Sequence, residues 1–277
     1  MMKRHAIYQQ LLALAWFALA TATFAATNNA AHVYPSGGQI VISIGNDLYA
    51  TLDPKFQSGL NPHAIALNQT DTPIIAPVQG SEGYLCQVSV SKGFIDLLNH
   101  IAHAKAIDQI QPGYFAQYVV DLAQAKSADN PPAPANLNDP RYWTDAVMND
   151  QATLCNQMIS MTLALNLSHH YLDHCSRHAA QISDAKLQPI NDRLEYGEWE
   201  ESVKCATLNS LECALATQGA KTLFDCIDQM PNRPAWAAYI VPQGVNIKKL
   251  NHELWRYEYD FFHGAASARR DRPVWGG

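Results

Sequence analysis

The spacing of apolar residues changes from alternating to helical near residue 93. Apolar and polar residues alternate in YLCQVSVSKG (84–93), which predicts a strand with one buried face. From Phe94 the apolar residues fall three and four positions apart, as in an amphipathic helix. Earlier in the chain, QIVISI (39–44) is typical of a short strand, and residues 53–82 have little periodicity and are predicted as loop.

Helical spacing dominates the rest of the chain. The segment 115–126 predicts a helix, and the Pro- and Asn-rich segment 127–140 predicts a surface loop. A long helical run is expected from about 143 to 180, since no Pro or Gly interrupts it. Two more helices are predicted in 190–230, and 246–262 closes the pattern as an amphipathic helix. The expected fold class is α+β and predominantly α-helical, with a small sheet.

The first residues have the pattern of a secretory signal peptide. A basic start, MMKRH, precedes a mostly apolar stretch, and small residues offer a cleavage site after Ala25. No later stretch has the roughly 18 continuous apolar residues of a spanning helix. We therefore expect an exported protein, periplasmic or secreted, without a membrane segment in its mature form. Its parts would be a signal peptide (1–25), an extended, loop-rich segment (26–83) and an α-rich domain (84–277).

Composition and charge narrow the classes of partner. Hydrophobic residues make up 48% and charged residues 16% of the chain, an ordinary balance for a globular protein. The formal charge is −6, and it becomes more negative when Lys3 and Arg4 leave with the signal peptide, which argues against nucleic-acid binding. Six cysteines in an exported chain predict disulfide bonds.

The most distinctive stretch is SHHYLDHCSRHAA, which holds four of the eleven histidines. On a straight helix His170 and His174 lie one turn apart on one face, which is the spacing of histidine pairs on zinc-binding helices. His178 is one turn further, about 12 Å from His170, so the binding pair is either His170 with His174 or His174 with His178. His169 points about 100° away and is not expected to be a ligand.

A catalytic metal site also needs a base and a third ligand. Glu follows the first histidine in the zinc-peptidase motif H-E-x-x-H, but here that position is Tyr171. Read in the other direction, HYLDH is an inverted motif in which Asp173 is the candidate base. Glu201 is the candidate third ligand and Glu212 its alternative, because both fall on one stripe of a predicted helix.

Two other interpretations of the histidines stay open. A helix end rich in histidine is electrostatically favourable without any metal, because cations suit a helix C-terminus. His100 and His103, at i and i+3 in NHIAHAK, are a second candidate metal pair. Histidines on an amphipathic helix are, however, commonly half-buried and hydrogen-bonded.

The order of these features resembles the zincin-type metallopeptidases of the H-E-x-x-H class. It is most similar to the family of the CAAX prenyl endopeptidase and its bacterial periplasmic and heat-shock relatives. The similar segments are VSVSKGFIDLLN (88–99), LALNLSHHYLDH (163–174) and the helices of 198–231. The resemblance implies a zincin-like fold in which a long helix carries the metal site.

The resemblance also implies a function. Zinc would be held by His170, His174 and Glu201 or Glu212, and metal-bound water would attack a peptide or protein substrate. The family's catalytic Glu is absent, since Tyr171 takes its place. The alternative is a non-catalytic exported protein that keeps the fold and binds a metal or a partner. A third possibility is an α-rich exported protein that is stapled by disulfides and holds no metal.

Overall fold

The longest helix among the described residues, Asp145–Tyr171, packs against most of the other main elements. The computed structural model describes residues 37–57, 60–79, 86–125, 131–178 and 189–264, so the predicted signal peptide lies outside the described residues. The helices are α1 (Gly37–Thr51), α2 (Pro54–Gln57), α3 (Lys92–Ile107), α4 (Tyr114–Ala123), α5 (Asp145–Tyr171), α6 (His174–Arg177), α7 (Tyr196–Glu212), α8 (Gln218–Asp228) and α9 (Ile247–His263). Short 3-10 helices occupy Pro140–Trp143, Ile190–Arg193 and Ala235–Tyr239.

Three strands form a small mixed sheet: β1 (Leu60–Asn68), β2 (Ile75–Gln79) and β3 (Cys86–Ser91). The central strand is β3, which pairs in parallel with β1 and antiparallel with β2. The predicted α+β class with predominantly helical content is therefore confirmed. None of the described helices is long and apolar enough to cross a membrane.

Helix α5 is at the centre because it is buried on nearly every side. Its residues from Gln157 to His169 are all buried, and helices α1, α3, α7 and α8 and strand β2 pack on it. Two of its buried polar side chains bond within the helix: Thr162 Oγ1 donates to the Met158 carbonyl, and Asn166 Nδ2 donates to the Thr162 carbonyl. Such bonds supply partners for polar groups that are buried away from water.

The junction between β3 and α3 agrees with the sequence pattern. The Ser91 hydroxyl accepts a hydrogen bond from the Phe94 backbone N–H and caps α3. Gly93 lies so close to the backbone at Asp71 that an added Cβ would come within 1.8 Å of the Asp71 carbonyl oxygen. Glycine is therefore required where β3 passes into α3.

The two predictions for the residues before β3 are wrong. The predicted strand 39–44 lies inside helix α1, where Val41, Ile44 and Leu48 are buried in the same core as α5. The burial of apolar side chains at this helical spacing outweighs the strand preference of the β-branched residues. The predicted loop 53–82 contains β1 and β2.

The predicted disulfides do not form among the cysteines whose side chains the structure describes, which are Cys155, Cys175, Cys205, Cys213 and Cys226. Burial raises the pKa of Cys155 and of Cys226 to about 12, so both thiols stay protonated and unreactive at neutral pH. An even number of cysteines did not reveal that Cys155, Cys205 and Cys226 are buried on three different helices.

Candidate functional site

The predicted continuous helix across the histidine cluster breaks at Leu172 and Asp173. Helix α5 ends at Tyr171, Asp173 adopts a left-handed conformation with φ of 64°, and the short helix α6 starts at His174. The prediction of one helical run to residue 180 is wrong here. His170 and His174 therefore no longer share a helix face.

His170 is directed towards the sheet. Its Nε2 lies 2.9 Å from the Gln87 carbonyl oxygen of β3 and donates to it. Burial lowers the pKa of His170 to about 4, so the ring is neutral. Its Nδ1 is buried, with no hydrogen-bond partner among the described residues. This contact ties the end of α5 to β3.

His169 and His174 meet on the opposite side, against α7. Their Nδ1 atoms lie 3.3 Å apart. The Ser202 hydroxyl oxygen lies 3.1 Å from Nδ1 of His169 and 3.2 Å from Nδ1 of His174. All three side chains have 0% exposure. The three atoms form a nearly equilateral triangle, which we call the His169–His174–Ser202 triangle.

Hydrogen bonding determines the tautomer of His169. Its Nε2 lies 3.1 Å from the Asn191 side-chain oxygen, and the Asn191 amide nitrogen donates to the Ala238 carbonyl at 3.5 Å. A carbonyl-type oxygen only accepts, so His169 carries its proton on Nε2. Its Nδ1 therefore presents a lone pair to the triangle.

Burial keeps both imidazoles neutral. It lowers the pKa of His169 to about 3, with a further contribution from His174. It lowers the pKa of His174 to about 4, with a further contribution from Arg177. The Nε2 atom of His174 is buried and lacks a hydrogen-bond partner within the described part of the chain. Neutral imidazole is the form that binds metal ions.

Contacts from Glu198 to Arg177 and His178 hold α6 beside the triangle. Glu198 at the start of α7 accepts from Arg177 Nη1 at 2.6 Å, and its second oxygen lies 3.1 Å from His178 Nε2. Glu198 also caps its own helix through the Glu195 backbone N–H. The alternative pair of His174 with His178 is thus not formed, because His178 is committed to Glu198.

The other predicted site residues lie apart from the triangle. Asp173, the predicted base, is exposed on the turn, and so is Glu201 on α7. Glu212 is partly buried, and its charge and that of Glu201 act on the Tyr171 hydroxyl, whose pKa is raised mainly by burial. The structure does not bring His170, His174 and Glu201 together. As placed, this set does not fit a zinc ion.

The second predicted pair has another arrangement. His103 is buried on α3, and its Nε2 lies 2.9 Å from the Tyr142 carbonyl oxygen. Burial lowers the pKa of His100 to about 4. Within the described ranges, no group of three or more His, Cys, Asp or Glu residues could hold a metal ion.

The sequence pattern does not point to His169, Ser202 or Asn191. A straight helix would turn His169 away from His170, but the break after Tyr171 brings His174 round to it. Ser202 is separated from the cluster by 28 residues from His174, so no local pattern connects the two. The double histidine at the helix end was the one available signal.

No protein-family model, curated protein or solved structure matches this chain. The zincin-like fold and the peptidase activity therefore stay predictions.

Proposed function

We propose that this chain is an exported protein that binds one divalent metal ion, zinc above all, through His169 and His174. The observation that carries the proposal is the His169–His174–Ser202 triangle. Export rests on the predicted signal peptide. Ser202 would supply an oxygen ligand, and the fourth position would be filled by water or another ligand.

The size of the triangle supports this proposal. Its sides are 3.1, 3.2 and 3.3 Å. Tetrahedral zinc has bonds of about 2.0–2.1 Å to nitrogen, which place neighbouring ligand atoms about 3.3 Å apart. Three ligand atoms at these separations need little movement to receive the ion.

The surroundings of His169 support it too. A histidine that binds metal through one ring nitrogen almost always donates the N–H of its other ring nitrogen to a carbonyl or carboxylate oxygen, and this bond orients the ring. Asn191 provides that oxygen. Without a cation the triangle can form a hydrogen-bond chain in which His174 Nδ1–H donates to Ser202 and the Ser202 hydroxyl donates to His169 Nδ1. A bound cation would replace this chain, with the His174 proton moved to Nε2 so that both Nδ1 atoms and the Ser202 oxygen present lone pairs to the ion.

The proposal is binding rather than hydrolysis. Within the described chain no carboxylate takes part in the triangle, and Asp173 is exposed on the turn. A zinc hydrolase needs a base beside the metal-bound water. The predicted action on peptide or protein substrates therefore has no geometric support at the triangle.

The test is the zinc content of the mature chain, purified without a histidine tag, supplied with zinc and desalted. We expect about one zinc per chain in the wild type and a loss in His169→Gln and in His174→Gln. His170→Gln is the matched control, since it alters the neighbouring buried histidine and should keep the metal. The visible absorption of tetrahedral Co²⁺ gives a second readout of the same site.

Two results would contradict the proposal. One is a wild-type chain that takes up no zinc. The other is loss of zinc in His170→Gln with retention in His169→Gln, which would instead support the zincin ligands. Ser202→Ala covers the case in which the histidine variants misfold. It removes a single hydroxyl, and we expect it to weaken zinc binding about tenfold in a folded protein.

A further inference from the structure

Helix α9 presents an aromatic face to solvent. Its other face is fixed in the core by Ile247, Leu250 and Leu254. The outward face carries residues at helical spacing, which we call the α9 ridge: Lys248, His252, Trp255, Tyr259 and Phe262. Trp255, Tyr259 and Phe262 are 52%, 48% and 56% exposed. Aromatic side chains with this exposure on neighbouring turns mark an interaction surface.

The ridge is ordered before any partner arrives. The rings of Trp255 and Tyr259 stack at 5.4 Å between centroids, and those of Tyr259 and His263 stack at 4.4 Å. His252 packs beside Trp255 at 6.1 Å. Side chains already held in place lose less conformational freedom on association.

Charged residues follow one flank of the ridge. Lys249, Glu253, Arg256 and Asp260 recur at spacings of four, three and four residues. Arg256 Nη2 lies 2.5 Å from Glu253 Oε2 within the helix. The signs run positive, negative, positive, negative along the flank.

This order of charges fits a second copy of the same helix packed antiparallel. In an antiparallel two-fold pair each flank faces the same flank of the other copy. When the two-fold axis passes between Leu254 and Trp255, Lys249 comes opposite Asp260 and Glu253 opposite Arg256 of the second copy. A parallel two-fold pair would instead bring this flank against the opposite flank of the other copy, so these charges would not pair with one another.

We propose that this chain forms a two-fold symmetric homodimer through antiparallel packing of the α9 ridge. The helix is 17 residues long, or about 25 Å, so the interface is small and the dimer exchanges with monomer. The expected dissociation constant is on the order of 10 µM. The metal site plays no part, and the measurement is made with chelator present.

The test is sedimentation velocity of the full mature chain over a series of micromolar concentrations. We expect the weight-average mass to rise from monomer towards dimer. Trp255→Ala acts twice in a symmetric dimer and should raise the dissociation constant at least about a hundredfold. Val120→Ala, which changes an apolar residue of 44% exposure on α4, is the matched control and should change nothing.

A charge swap tests the register. Lys249→Asp and Asp260→Lys each place like charges opposite each other twice, and each should weaken the dimer about tenfold. The double variant restores both pairs and should recover wild-type association. Lys249 and Asp260 are eleven residues apart on one helix, so they cannot make the pair within a chain. A monomer at every concentration, an unchanged dimer in Trp255→Ala, or no recovery in the double variant would overturn the proposal.

Discussion

His169 and His170 are neighbours in sequence, yet they serve opposite sides of α5. His170 meets a backbone carbonyl of β3 and makes one hydrogen bond there. His169 meets side chains only, from α6, α7 and the 3-10 helix at Asn191. A rotation of about 100° between adjacent helical residues is enough to separate a structural tie from a candidate ligand. The role of a histidine at a helix end is therefore decided by the element it faces.

Acidification should have the largest effect, because it acts on both sides of α5 together. Burial lowers the pKa of His169 to about 3 and the pKa values of His170 and His174 to about 4. In the unfolded chain these side chains take up protons below about pH 6.5. The unfolded state thus binds more protons between pH 6.5 and 4, and the free energy of unfolding falls as the pH falls through that window.

The size of this effect follows from the shifts. One pKa unit corresponds to about 1.4 kcal/mol, so each histidine accounts for several kcal/mol by pH 4. Typical domains are stable by about 5–15 kcal/mol, so we expect a large part of the stability to be lost by pH 4. Denaturant titrations at a series of pH values, with chelator present, give the slope. His170→Gln should reduce by about one the number of protons that unfolding takes up in this pH range. A free energy of unfolding that stays constant down to pH 4 would contradict the prediction.

Alanine substitutions at His169 and His170 should lower the free energy of unfolding by different amounts, because the two side chains lie on opposite sides of α5. His169→Ala leaves the Asn191 side-chain oxygen without its partner, removes one of the two histidine contacts of Ser202 and opens a cavity, and should cost about 3–4 kcal/mol without metal. His170→Ala loses one bond to Gln87 and should cost about 2–3 kcal/mol. The measurement is the free energy of unfolding in urea. A larger loss of unfolding free energy in His170→Ala than in His169→Ala would contradict this prediction and show that the contact with β3 is the stronger one.

Much of the fold could be predicted from local spacing. The alternation before Gly93 and the helical spacing after Phe94 gave β3 and α3, and the closing amphipathic pattern gave α9. The segment 39–44 misled because β-branched residues at helical spacing can pack as a helix once a core is present. Local preference is weak when burial favours another structure.

The candidate site could not be predicted in the same way. It depends on the helix break at Asp173, where the sequence has no Gly or Pro to indicate a break. Asp is, however, among the residues that tolerate the left-handed conformation seen there. It also depends on Ser202, which reaches the cluster only because α7 packs on α5. Spacing shows which residues share a face of an ideal helix, but it does not show where the helix ends.

The smallest effect is also the sharpest test of that break. In the left-handed conformation of Asp173, glycine is more favourable than aspartate, and alanine is less favourable than aspartate. The expected order of stability is therefore Asp173→Gly above the wild type and Asp173→Ala below it, with steps of about 0.5–1 kcal/mol. A continuous zincin-type helix demands the reverse order, since alanine is the best helix former and glycine among the worst. Urea unfolding of the three proteins at neutral pH with chelator decides between them. The reverse order would restore His170 and His174 to one helix face and would remove the basis of the His169–His174–Ser202 triangle.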